Sequence, residues 1–324
     1  MLVPRLKLGR RPVLAEAGDG TVILVFSNAL PGDSRERLLL FELSPADGSW
    51  KQVEIPRDPE VSQRQPLLFC PQGEPVLAWM ERIRGGTIVK SACRSDHGWD
   101  EPVEVGRVDS VNIPDFRGRL VDDSEVVVAW STAELQNERR IWLAKRSDRG
   151  VWTSPRNPVE CRAKSFDFDI AVVPQGVTLA YRTEFGPIHR AVNEVHLIDF
   201  DRNLNPTSAD RLVLKTGNTL RGLVLRWWEQ ATSAVLALIE ENQQGFGPLV
   251  LDARGQVLFR AEESLRGPRA DRLTVESLDG ALVLLLWEAA RLAPNPQLRN
   301  AWGDAWFIRL SCGETGTMIS AQFP

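Results

Sequence analysis

The segment Val126-Val127-Val128-Ala129-Trp130 is apolar without a break and ends in a bulky ring. A β-branched run this short, bounded by turn residues, reads as a strand buried on both faces, because a half-buried strand alternates and a helix needs a longer stretch. Closely similar runs recur along the chain: Thr21 to Phe26, Pro75 to Trp79, Val177 to Tyr181, Ala234 to Ile239 and Leu282 to Trp287. Their last residues, Phe26, Trp79, Trp130, Tyr181, Ile239 and Trp287, lie at roughly fifty-residue intervals, the spacing of a repeat architecture.

About twenty residues after each anchor comes a turn cluster, a second periodic mark. It reads Ser44-Pro45-Ala46-Asp47-Gly48-Ser49-Trp50, then Ser95-Asp96-His97-Gly98-Trp99, then Ser147-Asp148-Arg149-Gly150-Val151-Trp152. Asp199 to Asn203, Asp252 to Gly255 and Ser311 to Gly316 hold the same place later on. Gly or Asn supplies the positive φ of a tight hairpin turn, and Asp bonds its own backbone. Between anchor and turn lies an alternating strand: Leu38 to Leu43, Ile88 to Cys93, Ile141 to Lys145, Val195 to Phe200, Leu249 to Asp252 and Trp306 to Leu310. Each unit is therefore strand, strand, variable loop, strand, tight turn, strand.

Strong helix signals are missing, and six self-similar four-stranded units fit radial repetition, which protects sheet edges. The expected fold is all-β, a six-bladed β-propeller of four-stranded antiparallel blades. It is read as a single domain over 1–324. The blades fall near 10–58, 59–108, 109–162, 163–216, 217–265 and 266–324, with 1–9 as a closing or edge strand around a central channel. The recurring Trp-Asp signature of one large propeller class is missing: the dipeptide occurs once, at Trp99-Asp100, and does not repeat from unit to unit.

The Ser-x-Asp-x-Gly-x-x-Trp pattern, shortened in the first three turns, resembles the Asp-box of the sialidase-like six-bladed propellers. The trailing Trp99-Asp100-Glu101-Pro102 and Trp152-Thr153-Ser154-Pro155 add to the likeness. The resemblance spans the chain and makes this a degenerate member of that superfamily. It implies that the turns are structural and that any site lies on the opposite face, where second strands end and first strands begin.

On that face the sequence places Arg11, Arg64, Asp115, Asp167, Arg221 and Arg272 at the starts of first strands. Asn28, Glu81, Glu134, Glu184, Glu241 and Glu288 follow the anchors. Converging arginines hold a carboxylate bidentately, and carboxylates accept sugar hydroxyls. Long loops on this face run over Ala29 to Arg37, Ser131 to Arg140, Thr183 to Glu194 and Ala289 to Asp304. Two of them carry the hydrophobic tips Phe185-Gly186-Pro187-Ile188 and Leu292 to Leu298. The candidate ligand- or partner-binding set is Arg11, Arg64, Asp115, Asp167, Glu184, Arg221, Arg272 and Glu288, with Phe185 and Leu298 as loop anchors.

Sialidase chemistry, as the resemblance implies it, uses an arginine triad, a tyrosine nucleophile activated by a glutamate, and an aspartate acid/base. Tyr181 is the sole tyrosine, and it fills an anchor position, which makes it a packing residue. The family's Arg-Ile-Pro string is missing; Arg11-Pro12 and Asn112-Ile113-Pro114 come nearest. No sialidase activity is expected, although two carboxylates such as Asp115 and Glu184 leave room for an inverting or lyase-type glycan enzyme. No catalytic residue is assigned. His97, His189 and His196 lack metal-site spacing, and no Gly-rich loop opens a helix, so no metal or cofactor is expected. The tryptophans Trp227, Trp228, Trp302 and Trp306 read as blade packing rather than sugar platforms.

Composition bounds the rest. The net charge of -4 gives no electrostatic reason for nucleic acid or an anionic membrane to bind. No run reaches the roughly eighteen apolar residues of a membrane span. Residues 1–11 hold no apolar signal core, and Cys70, Cys93, Cys161 and Cys312 read as reduced thiols, so a cytoplasmic protein is expected. Cys70 and Cys93 fall on strands separated by a third, beyond disulfide reach. The functional expectation is a non-catalytic interaction module whose partner is a protein, with a carbohydrate or small acidic ligand as the second choice. The alternative is a glycan-binding or glycan-acting protein.

Overall fold

The computed structural model describes residues 10–29, 35–55, 60–109, 115–133, 138–163, 165–186, 191–243, 245–261, 272–278, 281–287, 305–313 and 316–322. Among them there is no α-helix; one short 3-10 turn, Pro71–Gly73, interrupts the strands. The chain separates into two compact units, Met1–Arg162 and Ala163–Pro324.

The first unit holds three antiparallel sheets. Sheet 1 is β1 (Arg10–Glu16), β2 (Val22–Ala29), β3 (Glu36–Leu43) and β4 (Trp50–Val53). Sheet 2 is β5 (Ser62–Phe69), β6 (Val76–Ile83), β7 (Gly86–Ser95) and β9 (Val103–Val108), with the two-residue β8 (Gly98–Trp99) folded back on the end of β7. Sheet 3 is β10 (Phe116–Val121), β11 (Glu125–Ala133), β12 (Glu138–Arg146) and β13 (Arg156–Arg162).

The second unit repeats the plan. Its sheets are β14 (Ser165–Val173) to β17 (Arg211–Thr216), β18 (Thr219–Trp228) to β21 (Val257–Arg260), and β22 (Arg272–Leu278) to β25 (Gly316–Gln322). The second and third strands are β15 (Gly176–Phe185) and β16 (Val192–Asp201), then β19 (Ser233–Asn242) and β20 (Gly245–Asp252), then β23 (Ala281–Trp287) and β24 (Ala305–Gly313). Residues 1–9, read as a closing strand, lie outside the described residues.

The unbroken apolar runs are explained by the pleat. Successive side chains point to opposite faces of a strand, and the second strand of a sheet serves two cores at once. In β6, Leu77 and Trp79 pack with Ile23, Val25, Leu38 and Leu40 of sheet 1, while Ala78 and Met80 pack with Val126, Val128 and Trp130 of sheet 3. In β19, Leu236 and Leu238 join Ala180 and Leu197, while Val235, Ala237 and Ile239 join Leu282 and Leu284. Each valine, leucine, isoleucine or methionine among them, removed from water, contributes roughly 1.5–3 kcal/mol. Phe26, Trp79, Trp130 and Tyr181 are buried; the Trp287 side chain is not described.

Two expectations are corrected. The anchor of the fifth repeat is Leu238, not Ile239. Leu238 packs toward the preceding sheet, as Trp79 and Trp130 do, whereas Ile239 packs toward the following one. With a period of two, an offset of one residue exchanges faces. The loops of the third and fourth repeats are also shorter than read, since β11 runs on to Ala133 and β15 to Phe185. The ladder is made by backbone groups, so it continues past the apolar run into Ser131, Thr132, Arg182, Thr183 and Glu184.

The turns carry the expected chemistry. Asp47 Oδ1 accepts the Ser49 N–H at 3.0 Å, Asp201 Oδ1 accepts the Asn203 and Asn205 N–H groups at 2.8 Å each, and Asp252 Oδ1 accepts the Arg254 N–H at 2.9 Å. Gly255 has φ +84, and a Cβ there would lie 2.3 Å from the Val213 carbonyl oxygen. Cys70, Cys93 and Cys161 are free thiols, and burial pushes the Cys70 thiol up from its ordinary value.

Candidate functional site

Three first strands lose their regular pairing beside an arginine named from the sequence. The register of β1 shifts between Arg10 and Val13, spanning Arg11; that of β5 shifts between Arg64 and Leu67; that of β18 shifts between Arg221 and Val224. Gln65 and Gly222 take positive φ at the latter two. A bulge bends its strand and re-aims the side chain at that point, a common device beside binding sites. Turn propensity did not reveal these bulges, because each forms within a strand.

In the first unit, Arg64 Nε lies 3.3 Å from Glu36 Oε2 and donates to Ser62 Oγ at 3.4 Å. The neighbouring Glu81 is buried and fully engaged. Trp79 Nε1 and Gln63 Nε2 donate to its Oε1 at 3.0 and 3.2 Å, and Lys90 Nζ sits 2.8 Å from its Oε2. A carboxylate so held is structural. Asp115 lies just before β10, 3.8 Å from Arg117 Nη1.

The second unit gathers more of the named residues. Register places Asp167 of β14 opposite Arg182 of β15, and Glu184 two residues further along the same strand. Arg182 is buried; its Nη1 donates to Asn193 Oδ1 at 2.9 Å and lies 3.8 Å from Glu184 Oε2. Burial pulls the Arg182 guanidinium below the usual arginine range; Asp167 and Glu184 oppose this and Arg221 reinforces it. Arg221 Nη2 donates to Glu241 Oε2 at 3.2 Å, and its guanidinium carbon stands 5.4 Å from the centre of the Phe246 ring, a cation–π contact.

With Leu238 as the anchor, Glu184 and Glu241 occupy the same position, three residues past the anchors of adjacent sheets. Both reach solvent, with side-chain exposures of 21% and 35%. Asp167 differs, since its Oδ1 accepts the Phe168 N–H at 3.0 Å and its Oδ2 the Leu223 N–H at 3.2 Å. It therefore ties β14 to β18. Glu240 is buried, accepting from Asn218 Nδ2 at 2.9 Å, with Arg260 Nε at 3.4 Å.

Tyr181 stacks on His196, with ring centres 4.8 Å apart, and donates its hydroxyl to Asp210. His196 Nδ1 also meets Asp210, at 3.1 Å, and Lys215 Nζ lies 2.6 Å from Glu194 Oε1. Phe185 stands exposed at the end of β15. The side chains of Arg11 and Arg272 are not described, and Glu288 and Leu298 lie outside the described residues. Sequence reasoning missed Arg182, although a charged residue directly after an anchor, where Ser27, Met80 and Ser131 stand elsewhere, was a usable signal. Among the described residues, no group of three or more His, Cys, Asp or Glu is arranged to hold a metal ion, and no helix is long and apolar enough to cross a membrane.

Comparison with known proteins adds the fold class. The sequence matches no family model and no curated protein. Among solved structures, the chain is similar to an α-L-arabinanase of Penicillium chrysogenum complexed with arabinobiose, at 15% identity and TM-score 0.53, covering 88% of this chain and 89% of that one. It is similar to the α-L-arabinofuranosidase Arb93A of Fusarium graminearum with an iminosugar inhibitor, at 13% identity and TM-score 0.56, covering 93% and 92%. It is similar too to the β-propeller domain of the Trilobed protease of Pyrococcus furiosus, at 9% identity and TM-score 0.52, covering 97% and 85%. The chain is a six-bladed β-propeller. At these identities the likeness is one of fold. It nevertheless overturns the expectation of a non-catalytic interaction module: two of these propellers are glycoside hydrolases, matched along nearly their whole length. Missing sialidase residues are therefore no ground for excluding catalysis.

Proposed function

We propose that this propeller is a glycan-acting enzyme, a glycosidase working with carboxylate side chains at the ends of its second strands. The observation that carries the reading is the equivalent placement of Glu184 and Glu241, each open to solvent and each beside an arginine. Glycosidases of the two-carboxylate type set one carboxyl to protonate the leaving oxygen and a second to act as nucleophile or base. Arg182 orients Glu184 from its buried position, Arg221 donates to substrate oxygens, and Phe185 and Phe246 offer apolar edges against which a sugar ring rests. Arabinobiose and the iminosugar inhibitor bound by the two similar hydrolases support a carbohydrate ligand, with arabinofuranose-containing glycans as the first substrates to try.

The sialidase kinship and the Asp-box reading of the turns belong to the same proposal, supported by the Asx bonding of Asp47 in the first of the three Asp-box-like turns. The tyrosine nucleophile of that superfamily has no counterpart in this reading, because the Tyr181 ring is packed in the core and its hydroxyl donates to Asp210. Release of reducing ends from arabinan, arabino-oligosaccharides and a panel of aryl glycosides tests the proposal. Turnover of at least one, with none of a sialic-acid substrate, is expected; inertness toward the whole panel contradicts it.

A further inference from the structure

The opposite strand ends of unit Met1–Arg162 hold a cavity of about 640 Å³ that the glycan reading does not use. Its wall includes Ser91 and Cys93 of β7, which share a strand face, and Arg146 at the end of β12. Arg146 is 7% exposed, and Ser91 is 1% exposed. The guanidinium has one hydrogen-bond partner among the described residues: its Nη2 donates to Cys93 Sγ at 3.3 Å. Among the described residues, its Nε and the Ser91 Oγ are both buried without a partner. A thiol is a weak acceptor, no carboxylate among the described residues lies in ion-pair reach of Arg146, and burying a cation without a counter-charge is costly.

Nearby carboxylates are engaged elsewhere or stand exposed. Arg94 takes Asp19 at 3.2 Å and Glu42 at 3.0 Å, and Asp100 accepts from Ser95 Oγ at 3.1 Å. Asp96 and Glu101 are exposed at the rim. Gly150, with φ +81, closes over the guanidinium so tightly that a Cβ there would sit 3.1 Å from Arg146 Nη2. The cavity thus joins a buried, unneutralised guanidinium and an idle hydroxyl to an acidic entrance.

We propose that this cavity is a second binding site, in which Arg146 and Ser91 take the carboxylate of a small organic monoacid. The planar fork of arginine matches a carboxylate. The rim acids repel polyanions and accept a ligand whose far end is neutral or cationic. The half-buried Trp152 supplies an apolar wall for its body.

Calorimetric titration of the full chain with acetate, glucuronate, alanine and inorganic phosphate, at constant ionic strength, tests this. At least one of the three carboxylates is expected to bind saturably, and more tightly than phosphate. Arg146→Gln should weaken that binding by roughly tenfold or more, and Ser91→Ala, which keeps the charge, by roughly threefold. Glu160→Gln, an exposed residue outside the cavity and outside the glycan reading, should bind as the parent does. If Arg146→Gln fails to fold, Ser91→Ala decides alone. Binding by none of the carboxylates, tighter binding of phosphate, or unchanged binding in Ser91→Ala overturns the proposal.

Discussion

Asp169 of β14 accepts the Leu225 N–H of β18 at 3.0 Å, and the same carboxylate oxygen takes Arg226 Nη1 at 3.1 Å. Two residues earlier, Asp167 accepts the Leu223 N–H at 3.2 Å. Residues two apart share a strand face, so the pair stitches two sheets together where a ladder cannot reach. Removing the Asp169 side chain strands a buried N–H and loosens an arginine. Asp169→Ala is expected to cost about 1–3 kcal/mol in urea unfolding; an unchanged midpoint would show that the stitch contributes nothing.

The second-strand anchors are core residues. Trp79 and Trp130 are both 0% exposed, and truncating a buried tryptophan leaves a large cavity. Trp130→Ala should cost about 3–5 kcal/mol, read from denaturant midpoints at constant m-value. A loss under about 1 kcal/mol is inconsistent with the packing described.

The turns between third and fourth strands act on stability. Gly255→Ala forces a side chain into left-handed backbone, costing about 1–2 kcal/mol before the contact with Val213 is counted. The melting temperature should fall while kcat and KM on any glycan stay at parental values. A Gly255→Ala protein of normal stability but altered kinetics would place function at the wrong end of the strands.

Acid stability follows from three carboxylates held below their ordinary values. The Thr21 N–H does this for Asp19, the Ser49 N–H for Asp47, and the hydrogen bond from Lys215 for Glu194. A depressed folded value stabilises the protein above the unfolded value, 3.8 for Asp and 4.5 for Glu, and that stability is lost as pH falls through the folded one. Asp19 and Asp47 are exposed, so their contributions are small, and Glu194, with its side chain 19% exposed, contributes the most of the three. The melting temperature should hold from neutral pH to about 5 and decline below about 4. Glu194→Gln with Asp47→Asn should make that decline shallower, and an equally steep decline in the double variant argues against these groups.

What the sequence discloses and what it hides have physical causes. Val126 to Trp130 announced a two-faced strand because burial on both sides leaves no polar position in the run. The same uniformity concealed the anchor in Ala234 to Ile239, where Leu238 and Ile239 are equally apolar and only the neighbouring sheets distinguish them. Glu184 and Arg221 were named from their place at strand ends, and β15 and β18 do put them there. Arg182 and Arg146 were not, because their importance depends on cross-strand and cross-sheet neighbours, Asn193 and Cys93, that spacing along the chain does not encode. The functional class was misjudged because one family's catalytic residues were taken as the test for catalysis in general.

The most direct measurement is the turnover number on the best glycan found in the panel, compared among the parent, Glu184→Gln and Glu241→Gln, with folding verified for each. Each substitution is expected to lower kcat by about a hundredfold or more, the loss typical of a missing acid or base. Parental turnover in both variants would contradict the assignment of glycan chemistry to these carboxylates.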